Sequence, residues 1–294
     1  MNLFRVWAPH ASAVTISDGT AMFRDGEWWA GSSTLEDYGF SIDGGPVRPD
    51  PRSPWQPQGV HALSRCYDHD AFAWTDQRWH GVPLAGAVLY ELHVGTFTAE
   101  GTFDAAIGRL DHLADVGVSA VELLPCNAFD GRWGWGYDGV ALFAVFEPYG
   151  GPDGLKRFVD AAHAKGVGVV MDVVYNHLGP AGNYLPEFGP YFTDDHQTPW
   201  GPAVDLRRPE VRRFFLDNAL MWLRDYHIDG LRLDAVHALV DDGATHLLEE
   251  LAQEVAALAA QVGKPLWLVA ESDLNDPKVI DPHGWRMDGQ WCDD

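Results

Sequence analysis

Apolar and polar positions change rhythm near residue 84. Before it, Phe4 and Val6, then Val14 and Ile16, fall on alternating positions of two short runs separated by Pro9-His10-Ala11. Period-two alternation marks strands with one buried face. Phe23, Trp28, Trp29, Tyr38, Phe40 and Ile42 continue the β-favouring texture between Gly- and Asp-bearing turns. The stretch Arg48 to Pro57 holds four prolines in ten residues, which excludes regular structure and predicts an extended connector lying along a surface. Residues 1–80 therefore read as a small β-sandwich with a long linker, and residues 81–294 as a second domain.

In that second domain strand and helix patterns alternate. Val88 to Leu92 is a short apolar run suited to a buried parallel strand. Ile107, Leu110, Leu113 and Val116, at three-residue spacing, predict a helix beginning at Phe103. Ala120 to Leu124 is the next strand. Asp153 then reads as a helix cap, with Leu155, Phe158, Val159 and Ala162 on one apolar face. A β-branched run, Val167 to Val174, follows Gly166. Pro209 marks a first helical turn, and Val211, Phe214, Phe215, Leu220 and Leu223 line one side of that helix. Gly230 to Asp234 is a fourth strand, residues 244–262 a further helix, and Leu266 to Glu271 a fifth strand.

Such repeats build an open doubly wound sheet or a closed (β/α)8 barrel. The open sheet announces a nucleotide site by a Gly-rich turn after its first strand, and His93-Val94-Gly95-Thr96-Phe97 is not one. Polar residues gather instead at successive strand ends: Glu91 and His93, Asp172 and Asn176, Arg232 and Asp234, Glu271. A barrel brings those ends round one mouth, so the α/β class expected is a TIM barrel.

Composition narrows the partners. With 20 Lys+Arg against 43 Asp+Glu the formal net charge is −23, a field that disfavours nucleic acid and anionic membrane and leaves a neutral sugar unopposed. The 13 Trp and 9 Tyr suit carbohydrate rings, although most of them are expected in the core. No run is apolar and long enough to span a membrane, and no secretory leader opens the chain. Cys66, Cys126 and Cys292 form neither a disulfide framework nor a metal-binding pair. These absences favour the cytoplasm.

Asp172 to His177, Gly230 to His237 and Ala270-Glu271 each end a strand. Arg232 and Asp234, two positions apart on a strand, share a face, so the guanidinium can hold the carboxylate ionised as a nucleophile requires. Glu271, from a neighbouring strand, can donate a proton to a leaving oxygen. Two carboxylates in divided roles are the minimum for glycoside cleavage. Duller readings exist: Asp172 as a helix cap, Arg232–Asp234 as a structural pair, His177 and His237 as ordinary loop histidines. What favours chemistry is their co-occurrence at consecutive strand ends. No metal-ligand spacing is present, and no cofactor is expected.

These three stretches resemble three of the four sequence regions of the α-amylase superfamily, glycoside hydrolase family 13. The resemblance implies Asp234 as nucleophile, Glu271 as acid/base and Arg232 as electrostatic partner. It further implies that Asn176, His177 and His237 contact the sugar or support the nucleophile, with Asp172 also in the substrate site. Tyr137, in Trp135-Gly136-Tyr137-Asp138, matches a tyrosine that stacks on the sugar. Residues 1–80 resemble the immunoglobulin-like module before the barrel in branching, debranching and trehalose-forming members. Tyr90 to Phe97, Gly134 to Gly139, Gly179 to Leu185, Phe188 to Asp194 and Thr198 to Gly201 are similar to the maltooligosyltrehalose trehalohydrolase family over essentially the whole chain. The implied substrate is maltooligosyl trehalose or a related α-glucan, cleaved at the α-1,4 bond beside the terminal trehalose.

One feature departs from that pattern. The fourth region, usually ending in His-Asp with the third catalytic carboxylate, does not occur, and neither Asp293 nor Asp294 lies in its context. The expectation is an incomplete barrel of five to six strands, a fragment of a longer enzyme that is inactive alone and exposes two sheet edges. The alternatives are a glycogen branching enzyme, against which Phe188 to Gly201 argues, and a non-catalytic glucan-binding fragment. Oligomeric state is not legible.

Overall fold

The computed structural model describes residues 1–292; Asp293 and Asp294 lie outside the described residues. The amino-terminal strands are β1 (Asn2–Trp7), β2 (Val14–Ile16), β3 (Phe23–Asp25), β4 (Trp28–Ser33), β5 (Asp37–Tyr38) and β6 (Phe40–Ile42). They form an antiparallel β1-β4-β3 sheet and a β2-β6 ladder, while the linker returns as β7 (Ser64–Arg65) to pair with β5. Phe4, Tyr38 and Phe40 meet at the centre of this module, with ring centroids 4.4 Å apart for the first two. Its core runs on into the rest of the chain: the Trp7 ring stands edge-on to Tyr191 at 5.0 Å, and Arg52 Nη1 meets Asp217 Oδ2 at 2.7 Å.

After the linker come β8 (Leu89–Leu92), α1 (Val94–Phe97), α2 (Phe103–Ile107), α3 (Leu110–Asp115), β9 (Ala120–Leu123), β10 (Asn127–Phe129), β11 (Gly139–Val145), α4 (Gly151–Ala164) and β12 (Gly168–Val173). Then come α5 (Leu185–Phe188), β13 (Phe192–Thr198), β14 (Gly201–Val204), α6 (Pro209–Asp225), β15 (Gly230–Leu233), α7 (Leu247–Val262), β16 (Trp267–Glu271) and β17 (Gly289–Trp291). Six strands lie in the order β17-β16-β15-β12-β9-β8, and every pairing within that sheet is parallel. They make a parallel half-barrel. Among the described residues no helix is long and apolar enough to cross a membrane.

The sheet's inner face alternates as a strand must. Val170, Gly230 and Trp267 stand side by side in register, and a Cβ on Gly230 would come within 2.8 Å of Trp267 Cβ, so the glycine is what admits the indole. Ala120, Val170 and Trp267 pack there against Val82, Leu84 and Leu89. One step further along each strand, Glu122, Asp172 and Arg232 point the same way. Helices cover the outer face: Leu155, Phe158, Val159 and Ala162 of α4 are fully buried, and so are Val211, Phe214, Phe215 and Leu223 of α6.

Several expectations are corrected. Val88 to Leu92 is not a buried run, because β8 pairs only with β9; Val88 and Tyr90 are exposed. The helix expected from Phe103 breaks at Gly108-Arg109 into α2 and α3, and Val116, past its end, is exposed. Asp153 does not cap α4. The chain enters that helix through Gly150 and Gly151, both at positive φ, and Asp153 sits inside the first turn accepting a hydrogen bond from Tyr67 Oη at 2.7 Å.

The linker lacks regular structure but is firmly attached. Lys156 of α4, fully buried, donates to the His69 carbonyl at 2.7 Å, and Thr75 bonds Asp160 through both its N–H and its hydroxyl. His163 lies between Asp76 Oδ2 at 2.8 Å and Asp229 Oδ2 at 2.9 Å, with the Trp79 ring stacked on it at 4.6 Å. His227 reaches the same Asp76 oxygen at 2.8 Å, and Lys264 reaches Asp229 at 2.9 Å. Burial opposes charge on His163, but the two carboxylates outweigh it and raise its pKa above 6.5. The same contacts hold Asp76 and Asp229 below 3.8 against their own burial.

A raised histidine stabilises the fold fully below its unfolded pKa and loses that contribution as pH rises through the folded one. Depressed carboxylates stabilise above their unfolded pKa and lose it on acidification. The cluster is therefore strongest between the ordinary carboxylate value of 3.8 and the ordinary histidine value of 6.5. Thermal melts are expected to fall as pH rises above that window, and His163→Gln is expected to flatten the fall. An unchanged alkaline slope in the variant would place the titrating group elsewhere.

Candidate active site

Strand register assembles the polar cluster. Asp172 of β12 is paired with Arg232 of β15, and Leu233 with Ala270 of β16, so Asp234 and Glu271 follow side by side at the strand ends. Arg232 Nη1 contacts both Asp172 oxygens at 2.9 Å and Asp234 Oδ1 at 2.7 Å. Its Nη2 lies 3.5 Å from Glu271 Oε2. One guanidinium thus faces three carboxylates. Burial works against its charge, but Asp172 and Asp234 more than offset this and raise its pKa.

Asp172 is 2% exposed. Burial pushes its carboxyl up to about 7 against the pull of Arg232. Tyr137 Oη donates to Asp172 Oδ2 at 2.8 Å, and burial with that carboxylate lifts the phenol well above its usual value. Tyr137 is placed by Gly136, at φ 96°, where any Cβ would run into the Pro125 carbonyl. Neither arrangement is a helix cap: Asp172 supports Arg232 from below.

Asn176 Nδ2 donates to Asp234 Oδ2 at 3.1 Å and to the Asp234 carbonyl at 3.0 Å. His177 Nδ1 lies 2.6 Å from Asn176 Oδ1. An amide oxygen only accepts, so Nδ1 carries a hydrogen; burial lowers the ring's pKa from 6.5. His237 is exposed in the short turn after β15, with no hydrogen bond to this cluster among the described residues.

Two participants escaped the sequence. Ala235 adopts φ 44° and ψ 50°, a left-handed conformation that a non-glycine residue holds only under constraint. That turn aims its N–H at Glu271 Oε2. Glu122 is 3% exposed, and its Oε1 has no hydrogen-bond partner. Burial, with Asp172 adding to it, pushes Glu122 up to about 8, so it is mostly protonated at neutral pH. Its inward parity with Ala120 was the available signal. Among the described residues no group of three or more His, Cys, Asp or Glu could hold a metal ion.

Residues 67–197 match the α-amylase catalytic domain family. The chain is 57% identical over 99% of its length to a malto-oligosyltrehalose trehalohydrolase of Arthrobacter ramosus, of which it covers 54%. The chain is similar to α-amylase-family enzymes over essentially its whole length. Another relative of the same name, from Saccharolobus solfataricus, is 42% identical over 99% of the chain and is covered to 53%. A 1,4-alpha-glucan branching enzyme of Vibrio parahaemolyticus is 35% identical over 81% of the chain. A solved α-amylase-family structure from Salmonella typhimurium superposes with a TM-score of 0.93 at 38% identity, covering 98% of this chain and 51% of that one. The chain spans about half the length of the curated trehalohydrolases it matches.

Proposed function

We propose that this α-amylase-family chain carries the carboxylate pair of a retaining glycoside hydrolase that releases trehalose from maltooligosyl trehalose. The observation that carries the reading is Arg232, shared between Asp172 and Asp234 and within 3.5 Å of Glu271. The relatives' names point the same way. Residues 1–80 are proposed to be an immunoglobulin-like module with its linker, and residues 81–294 the catalytic domain.

The chemistry balances with one water. Asp234, paired with Arg232 and oriented by Asn176, attacks the anomeric carbon next to the terminal trehalose. Glu271 gives its proton to the departing oxygen, so trehalose leaves as a neutral molecule and a glycosyl ester remains on Asp234. Glu271, now a carboxylate, takes a proton from water, which hydrolyses the ester and frees the maltooligosaccharide with retained configuration. Asp172 and Tyr137 fix Arg232, and His177 fixes Asn176.

The test is trehalose release from maltooligosyl trehalose, followed by NMR for the anomer formed first. A β-anomer product, or new α-1,6 branches from amylose without trehalose, would overturn the reading. Glu271→Gln is expected to lower kcat by roughly 10²–10⁴-fold, the usual worth of a general acid/base. A variant that keeps kcat within tenfold of the parent would place the acid elsewhere.

A further inference from the structure

Among the described residues, the carboxyls gathered round Arg232 are each given a donor except one. Asp172 takes Arg232 and Tyr137, Asp234 takes Arg232 and Asn176, and Glu271 takes the Ala235 N–H. Even at the far end of the sheet, the buried Asp229 accepts from Trp79, Lys264 and Val169. Glu122 is the exception: it is 3% exposed, and its Oε1 has no partner. A buried carboxylate without donors is costly, and such a group sheds its charge by taking up a proton.

Strand register fixes where that proton sits. Glu122 stands on β9 between Glu91 of β8 and Val170 of β12. Asp172, two residues on from Val170, shares the parity of the inner face and is in register with Arg232. Glu122 therefore lies one layer below the Arg232 bridge. The charged groups that face it are Asp172 from β12, Arg232 from β15 and Glu91 from β8. Two of the three are acidic, and the third is already shared among Asp172, Asp234 and Glu271. Burial, with Asp172 adding to it, holds the Glu122 carboxyl up to about 8, so mild alkali ionises it in place. An anion there finds one cation among the groups around it, the Arg232 guanidinium, and competes for it with Asp234.

We propose that Glu122 is a positioning residue: as a neutral acid it leaves Arg232 bridging Asp172 and Asp234, and as an anion it draws the guanidinium toward β9 and off Asp234. The geometry of the attacking carboxylate is thus governed by a proton held one layer beneath it. Glu122 touches no substrate and neither gives nor takes a proton in the reaction. The proposal rests on the reading of Asp234 as nucleophile and adds to it the group that commits or withdraws its partner.

Carboxyl ¹³C and guanidinium ¹⁵N NMR of the whole chain test this without substrate. The Glu122 carboxyl, assigned by its loss in Glu122→Gln, should titrate at about 8. The Arg232 guanidinium signals should move with the same midpoint in the parent and stay fixed in the variant. A Glu122 carboxyl already ionised at neutral pH, or Arg232 signals indifferent to it, would overturn the proposal. Trehalose release from maltooligosyl trehalose is the second readout. The ratio of Glu122→Gln kcat to parent kcat should rise about tenfold between about pH 7 and about pH 9, because the neutral fraction of an acid titrating at about 8 falls by that factor. A side chain that mattered only to folding would leave the ratio flat, and a flat ratio would overturn the positioning role. If the glutamine variant does not fold, Glu122→Met, which cannot ionise either, decides by the same two readouts. Arg232 signals that follow Glu122 in a chain without trehalose release would remove the trehalose reading and keep the coupling; release with indifferent Arg232 signals would do the reverse.

Discussion

Asp234→Asn is expected to abolish the proposed trehalose release, lowering kcat on the order of 10⁴-fold or more, because the variant offers no carboxylate to form the glycosyl ester. The volume change is negligible, so packing should survive. Hydrogen bonding will not survive intact. Asp234 Oδ1 accepts from Arg232 and Oδ2 from Asn176, and an amide placed there must turn its NH₂ toward one of those two donors. Asn176 cannot simply flip in response, since its Oδ1 is engaged by His177. The expected stability loss is about 1–3 kcal/mol, the worth of one unsatisfied buried donor, visible as a modest drop in Tm. A variant that keeps turnover within tenfold of the parent would remove Asp234 from the chemistry.

The second large effect lies at the opposite end of the sheet. Asp229→Ala is expected to cost about 3–5 kcal/mol, the usual result of deleting one partner from a buried ion pair. Asp229 accepts from Trp79 Nε1 at 2.7 Å, Lys264 Nζ at 2.9 Å and the Val169 N–H at 2.9 Å, besides His163. Its removal strands a buried imidazole and ammonium and leaves two further donors unpaired. Chemical denaturation measures the loss. Combining Asp229→Ala with His163→Gln should cost much less than the sum of the single variants, because the second change removes the charge the first one stranded. Strict additivity would show that the two residues do not act as a unit.

Much of this was readable from residue order. β12, β15 and β16 are short, almost continuously apolar runs that are buried on both faces, and Pro209 sets the start of α6. The pairing of Arg232 with Asp234 follows from strand parity alone. What periodicity could not supply was the identity of neighbours. Val88 to Leu92 reads as buried because apolar runs usually are, whereas exposure depends on how many strands flank β8. The β13–β14 hairpin carries Thr193, Asp194, Asp195, His196 and Gln197, too polar to signal a strand, and is held by the backbone ladder and Arg207. Glu122 sits in a sequence that says strand and nothing more; its burial comes from Asp172 and the sheet around it. His237, similar by motif, turns outward because the left-handed Ala235 redirects the chain two residues earlier.

The anchoring of the linker also sets an order of events during synthesis. Trp79 and its partner Asp229 are 150 residues apart, and Asp76 and His227 are 151 apart. At translation speeds of about 5–20 residues per second, Asp229 follows Trp79 by roughly 8–30 s. The amino-terminal strands, whose pairings span short distances, can close within that interval. Trp79 and Asp76 of the linker, already made, wait for Asp229 and His227. Contacts of such separation form late and slowly, so the nascent chain passes through a stage with a finished module and an unmoored tether, the point at which a chaperone would have most to hold.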